Sequence, residues 1–226
     1  MRGFEPLSVV VFCMKKTGFD IKKTLSDLSQ ERKIFHSEAD FQFALAWLIQ
    51  KQFPNAVIRL ERNFGKERKE YLDIWIKIDS YFYFIELKYK TKKLEINDNG
   101  EDFLLTEQSS TDTGAYDFIK DIARIERFTQ SNKKAIGYVI MLTNEGFYWK
   151  EARNPNTNDA EFKLCEGRNI NGDLSWGPKT SLGVMQGREK TICLSGSYTL
   201  NWHTYSSFLE KLTEFKYLLV SVNHNS

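Results

Sequence analysis

Two apolar segments joined by Asp79-Ser80 constrain the fold more than any other part of the sequence. Residues 71–78 and 81–90 are both rich in β-branched and aromatic side chains, which favour strands. A two-residue connection between such segments is typical of a β-hairpin. Because strand side chains alternate with period two, a loop of two or four residues keeps both apolar faces together. In that register Trp75 lies opposite Phe84.

The same register places Asp73 of the first strand opposite Glu86 of the second. Like charges at directly opposed positions destabilise a sheet, so a positive group is expected between the two carboxylates. Lys88, which lies one pleat beyond Glu86 on the same face, is one candidate. A hard divalent cation with oxygen ligands, Mg²⁺ or Mn²⁺, is the other.

Such a cation would be bound by Asp73, Glu86 and the backbone carbonyl of Leu87, with Lys88 next to the bound water. A divalent cation lowers the pKa of its water and neutralises charge that develops on a phosphate. An ammonium group can orient the attacking water or stabilise the transition state. The arrangement therefore predicts hydrolysis of phosphodiesters.

At these residues the chain resembles the PD-(D/E)XK nuclease superfamily, which includes restriction endonucleases and DNA-repair nucleases. The matching positions are Asp73 on one strand and Glu86-Leu87-Lys88 on the next, while Leu72 stands where the family name has Pro. The resemblance implies an α/β (α+β) fold with a restriction-endonuclease-like core, in which helices flank a central mixed β-sheet. It also implies a metal-dependent endonuclease that acts on DNA, and it covers roughly residues 37–150.

A helix is predicted from Ser37, a good N-cap, to about Gln52, immediately before Phe53-Pro54. Glu38 lies in its first turn, on the side that carries the apolar stripe. The helix dipole alone favours an acidic residue there. The resemblance offers a second interpretation, since the family often carries a further acidic residue on the helix before these strands. Glu38 is therefore a candidate catalytic residue.

The net charge of the 226-residue chain is only +2, so a nucleic-acid surface has to come from local clusters of Lys and Arg. Lys90, Lys92 and Lys93 form the best cluster, although lysines at a strand end can also protect an edge. Arg68 lies just before the site and is a further candidate DNA contact, although a solvated charged turn is the alternative interpretation of its segment. For Arg124 we favour an exposed surface position, and we keep it as a candidate DNA contact because basic residues on the equivalent helix reach the site in some relatives.

The remaining patterns predict further elements. They are a helix over 20–33, a strand over 56–63, a polar loop over 95–113, a helix over 114–131, a buried strand over 135–142 and an adjacent strand at 147–149. Short strands are predicted at 7–13, 162–165, 197–202 and 217–220. We divide the chain into an N-terminal extension (1–36), the core (37–150) and a C-terminal β-rich extension packed on the core (151–226).

The cysteines, Cys13, Cys165 and Cys193, form no C-x-x-C pair, which favours a reducing cytoplasm. The apolar run at 9–14 is too short for a membrane span, so no membrane association is expected. The partner predicted is DNA, double-stranded or branched, and a homodimer would account for cleavage of both strands.

Two other interpretations of the carboxylate pair stay open. The chain could be a catalytically inactive module that keeps the nuclease fold and binds nucleic acid or a protein partner. Alternatively, Lys88 could simply neutralise Asp73 and Glu86 in a structural cluster, although replacing such an ion pair with apolar residues is often neutral for stability.

Overall fold

The computed structural model describes residues 18–65, 69–108, 110–130, 132–151, 154 and 156–223. The strand predicted at 7–13 and the candidate DNA contact Arg68 lie outside these residues. The helices are α1 (Ile21–Glu31), α2 (Glu38–Gln52), α3 (Thr111–Gln130) and α4 (Leu182–Met185). The strands are β1 (Val57–Asn63), β2 (Tyr71–Ile78), β3 (Tyr81–Lys90), β4 (Leu94–Asp98), β5 (Glu101–Leu105), β6 (Ala135–Thr143), β7 (Asn169–Leu174), β8 (Ile192–Thr199), β9 (Trp202–Phe208) and β10 (Thr213–Asn223).

The main sheet has the strand order β1-β2-β3-β6-β10-β9. Strands β3 and β6 run parallel, whereas the other neighbours in this sheet are antiparallel. The helices α1 and α2 pack on one face, against side chains such as Ile85 and Leu87. Helix α3 packs on the other face, against Phe84 and Val139. The predicted α/β fold with a central mixed sheet flanked by helices is confirmed.

The predicted hairpin register is confirmed for β2 and β3. Ile78 pairs with Tyr81 and Trp75 with Phe84, as the even-sized loop requires. Asp79 adopts φ = 53° in the turn, a left-handed conformation that Asp tolerates better than most residues.

The predicted start of α2 is also confirmed. The Ser37 hydroxyl accepts a hydrogen bond of 3.1 Å from the Asp40 N–H and so satisfies one of the free donors of the first turn. The first helical residue is Glu38, whose position is fixed by this cap. The helix ends at Gln52, before the Phe53-Pro54 pair.

The strand predicted at 147–149 is wrong, because these residues form a turn. The second neighbour of β6 is β10, paired from Thr143 with Lys216 to Ile136 with Asn223. A three-residue segment could not have satisfied the backbone of a nine-residue strand that is buried on both faces. Residues 202–223, which we assigned to the C-terminal extension, therefore supply two strands of the main sheet.

Three further predictions need correction. The segment 95–113 contains the β4–β5 hairpin and the start of α3, because Asn99 and Gly100 both adopt positive φ and form the tight turn typical of Asn-Gly. Residues 162–165 are not a strand; Phe162 ends a 3₁₀ turn instead. The strand predicted at 197–202 is divided, since β8 ends at Thr199 and β9 begins at Trp202.

None of the helices in the described part of the chain has the length and hydrophobicity that a transmembrane span requires.

Candidate functional site

Asp73 lies where β2 and β3 separate. The antiparallel ladder ends at the pair of Ile74 with Ile85, one step before Asp73 would face Glu86. The Asp73 carboxylate continues the pairing in place of a backbone carbonyl, since its Oδ2 accepts a hydrogen bond of 2.6 Å from the Leu87 N–H. This bond fixes the carboxylate beside the second strand of the hairpin.

Glu38 binds the same edge of β3 as Asp73, two residues further along the strand. Its Oε2 accepts a hydrogen bond of 2.7 Å from the Tyr89 N–H. The negative charge of Glu38 acts on Asp73 strongly enough to contribute to a raised Asp73 pKa. The carboxylates of Glu38, Asp73 and Glu86 are therefore brought together around residues 86–89.

Lys88 and Arg124 supply the positive charge of the cluster. The Lys88 ammonium lies 2.7 Å from Asp121 Oδ2 and donates a hydrogen bond of 3.2 Å to the Leu87 carbonyl. The Arg124 guanidinium contacts Glu86 Oε2 and lies 2.8 Å from Asp121 Oδ1. The exposed surface position that we favoured for Arg124 is wrong, because its side chain points from α3 into the cluster.

Asp121 was missed as a site residue. Its sequence pattern, an acidic residue three positions before Arg124 on an amphipathic helix, is the same as that of an ordinary surface ion pair. In the structure Asp121 is only 5% exposed and contacts both cations of the cluster. Local spacing does not show that α3 turns this part of its surface toward the end of β3.

The cluster contains more negative than positive charge. Four carboxylates, those of Glu38, Asp73, Glu86 and Asp121, are grouped with the two cations described above. Burial, assisted by the charges of Glu38 and Asp121, raises the pKa of Asp73 to about 6. Burial also raises the pKa of Glu86, as do the neighbouring aspartates, against the opposing effect of Arg124. Burial lowers the pKa of Lys88, but Asp121 outweighs it, so the Lys88 pKa is raised and the ammonium stays charged.

The oxygen atoms of the cluster are suitable ligands for a hard divalent cation. Glu86 Oε1 is buried and has no hydrogen-bond partner among the described residues, and Asp73 supplies a second carboxylate nearby. No group of three His, Cys, Asp or Glu side chains in the described ranges is arranged to hold a metal alone. A cation here would also need the Leu87 carbonyl and water as ligands. Mg²⁺ usually keeps several waters and needs few carboxylates.

Gln42 is a second residue that the sequence did not reveal. It lies one turn after Glu38 on α2, is 8% exposed, and its Nε2 donates hydrogen bonds of 2.8 Å to the Asp73 carbonyl and to Glu61 Oε1. Glu61 adopts φ = 50°, an uncommon conformation for a residue other than glycine. Helix α2 therefore holds the backbone of Asp73 directly. The signal available in the sequence was a glutamine between Phe41 and Phe43 in an otherwise apolar part of α2.

The predicted DNA contacts lie just beyond this cluster. Lys90 is half-buried at the end of β3, whereas Lys92 and Lys93 are exposed. The Lys92 N–H donates a hydrogen bond of 2.7 Å to Asn144 Oδ1, which joins this segment to the end of β6. Lys93 lies 3.3 Å from Glu95, and both side chains are largely exposed.

No family model matches the chain, and neither a curated protein nor a solved structure is significantly similar to it. The class defined so far is a mixed α/β protein with a buried cluster of carboxylates and cations where two strands separate.

Proposed function

We propose that the protein is a metal-dependent endonuclease that hydrolyses DNA phosphodiester bonds. The observation that carries the proposal is the convergence of Glu38, Asp73, Glu86 and Lys88 in one cluster with excess negative charge. In water-poor surroundings that excess is unfavourable unless protons or a cation compensate it. A divalent cation would do so and would be placed beside a permanently charged ammonium.

The element order supports a restriction-endonuclease-like core. Helix α2 precedes the antiparallel strands β1, β2 and β3, α3 follows on the opposite face, and β6 runs parallel to β3. This order shares with the resemblance a mixed sheet flanked by helices, with Asp73 on the second strand and Glu86-Leu87-Lys88 on the third, whereas the second neighbour of β6 is β10 and not residues 147–149.

Each residue has a distinct role in the proposed reaction. Asp73, Glu86 Oε1 and the Leu87 carbonyl would hold Mg²⁺ or Mn²⁺, which when bound lowers the pKa of a water and neutralises charge on the phosphate. Lys88 remains an ammonium, so it donates hydrogen bonds to the attacking water or to the phosphate and does not remove a proton. Glu38 positions β3 through the Tyr89 N–H and is the carboxylate left to orient water.

The first test combines calorimetric titration of Mg²⁺ or Mn²⁺ with plasmid nicking by the same protein. Asp73→Asn should abolish metal binding and lower the nicking rate on the order of 100-fold or more, the scale on which loss of one charged catalytic group acts. Asp79→Asn is the matched control, because Asp79 lies in the turn at the other end of the same hairpin and Asn tolerates its conformation.

Equal nicking by wild type, Asp73→Asn and Lys88→Ala would contradict the proposal. Absence of metal binding at millimolar concentration, with and without DNA, would also contradict it.

One observation favours a second function, a catalytically inactive module that binds nucleic acid or a protein partner. Arg124 already contacts Glu86, and Lys88 already contacts Asp121, so part of the charge is compensated without metal. Binding of DNA that is independent of metal, with no cleavage of any single-stranded, duplex or branched substrate, would support this module.

A further inference from the structure

A pocket lies beside the carboxylate cluster, at the same edge of the main sheet. Because β3 and β6 are parallel and β10 is antiparallel to β6, the residues that follow β3, follow β6 and precede β10 meet at this edge. They enclose a cavity of about 510 Å³. Its lining includes Lys92, Lys93, Phe147, Trp149, Lys150 and Leu212.

The pocket exposes apolar side chains that the core does not use. Phe147 is 72% exposed and Leu212 is 94% exposed. Leu212 also adopts φ = 49°, in the left-handed region, which is unfavourable for a bulky residue. Backbone strain of this kind tends to occur at functional positions. An exposed aromatic ring and an exposed leucine at the rim of one cavity are the features of a surface that receives a flat apolar ligand group.

The charge around the pocket suits phosphate. Lys92 and Lys150 form no salt bridge with any residue in the described ranges, so both ammonium groups are available to a ligand. The lining has three lysines against two glutamates, and the charge of Glu214 is partly compensated by Lys216 at 3.6 Å. Glu145 accepts a hydrogen bond of 3.1 Å from the Phe147 N–H, and Glu214 accepts one of 2.6 Å from the Thr204 hydroxyl.

We propose that this pocket binds an unpaired nucleotide of the DNA substrate, with its base stacked on Phe147 and its phosphates near Lys92 and Lys150. Exposed aromatic rings beside lysines are how proteins bind single strands without sequence preference. In a duplex the base faces are already stacked, so only an unpaired or splayed nucleotide can use the ring. The inference rests on the proposed nuclease function and names its substrate as DNA with a single-stranded segment next to the cleavage point.

The position of the pocket agrees with this substrate. Neighbouring strands lie about 4.8 Å apart, so β10 is roughly 10 Å from β3 across β6. That separation corresponds to a few nucleotides along one strand. A strand that is cleaved at the cluster and runs across the ends of β3, β6 and β10 would pass over the pocket.

Binding is measured by fluorescence anisotropy, with EDTA present so that no DNA is cut. The probes are a labelled single strand and a blunt duplex of the same sequence. Phe147→Ala should raise the Kd for the single strand by about 5- to 100-fold, the scale of one lost base–aromatic stack, and should leave the duplex Kd unchanged. Phe43→Ala is the matched control, since Phe43 is 66% exposed on α2 and lines a different groove.

A second variant tests the phosphate contacts. Lys92→Ala combined with Lys150→Ala should weaken single-strand binding and reduce its salt dependence. Circular dichroism and thermal unfolding establish that each variant is folded. The proposal that the pocket binds an unpaired nucleotide would be contradicted by an unchanged single-strand Kd in Phe147→Ala. Equal weakening of duplex and single-strand binding would contradict it as well.

Cleavage in Mg²⁺ separates failure of the pocket from failure of the proposed function. If the wild type binds single strands through Phe147 but cuts no DNA, the pocket stands as a binding site and the nuclease proposal fails. If the wild type cuts blunt duplex as fast as single strands, and Phe147→Ala changes neither rate, the assignment of the pocket to an unpaired nucleotide is wrong. The nuclease proposal is then still supported.

Discussion

Asp73 combines a fixed position with an unfavourable charge. Gln42 holds its carbonyl, and the Leu87 N–H holds its carboxylate. Burial raises its pKa from an ordinary value of 3.8 to about 6, so the folded protein binds the proton more tightly than the unfolded chain does. The stability should therefore fall as the pH rises from 3.8 to about 6. The loss from Asp73 alone should be at most about 3 kcal/mol.

Asp73→Asn should remove this part of the pH dependence. Without divalent cations, we expect the variant to be more stable than the wild type at pH 7, and the difference should shrink toward pH 4. Urea unfolding of both proteins at several pH values measures it, with Asp79→Asn as the control that should follow the wild type. Parallel curves for the wild type and Asp73→Asn would show that the carboxylate is not destabilised by burial.

Glu126 is a buried carboxylate with a structural role. It is 6% exposed on α3 and accepts hydrogen bonds from the Ser195 and Gly196 N–H groups and from the Tyr198 hydroxyl, at 3.0, 2.7 and 2.8 Å. Glu126→Gln places an amide N–H group among these three donors, so at least one of the three hydrogen bonds is lost. Because bonds to charged groups contribute about 1.5–3 kcal/mol each, we expect a loss of roughly 2–4 kcal/mol in the free energy of unfolding.

Chemical denaturation measures the effect of Glu126→Gln, and Glu107→Gln at an exposed position is the control. A change below about 0.5 kcal/mol, the range of ordinary surface substitutions, would mean that the three bonds are replaced by water.

At the scale of elements, α3 and β6 approach closely at Gly137. A methyl group added there would overlap Ile125 Cγ2 and would lie 3.2 Å from Thr129 Cγ2. Gly137→Ala should therefore push α3 away from the sheet and lower stability by about 1–3 kcal/mol or more. Since α3 carries Asp121 and Arg124, the proposed nuclease activity should fall as well.

Gly183→Ala is the matched control for Gly137→Ala. An added methyl group at Gly183 meets no described atom within 4 Å, and its backbone conformation is not left-handed. Thermal unfolding of the two variants checks the prediction, and equal midpoints would show that the helix and the sheet adjust without cost.

Local patterns predicted the elements better than their partners. Alternation fixed the β2–β3 register, and the Ser37 cap fixed the start of α2, because both depend on residues close in sequence. The pairing of β6 with β10 was missed, since no local signal states which distant strand completes a sheet. The same reason explains which residues of the candidate site were predictable. Asp73, Glu86 and Lys88 lie on one hairpin and were predictable as a group, whereas the contacts of Asp121 and Arg124 with them depend on how α3 packs.

At the scale of the whole molecule, residues 37–150 do not contain a complete sheet. Strands β9 and β10 lie beyond them, and β10 covers one edge of β6 along its length. A chain that ends at residue 150 should therefore fail to fold, because β6 would expose an unpaired backbone and apolar side chains. Circular dichroism and thermal unfolding of this fragment test the expectation, and a cooperative transition like that of the full chain would contradict it.

The large sequence separation between β6 and its partner strand β10 should affect the kinetics of folding. The strand β6 carries no charged residue, and its second partner begins only at Thr213, far along the chain. Contacts between such distant segments form slowly. Before β10 pairs with β6, the uncharged edge of β6 can pair with the same segment of another molecule. Exposed strand edges of this kind cause many folding intermediates to aggregate. Refolding yield should therefore decrease as protein concentration rises, because closure by residues 213–223 competes with association between chains.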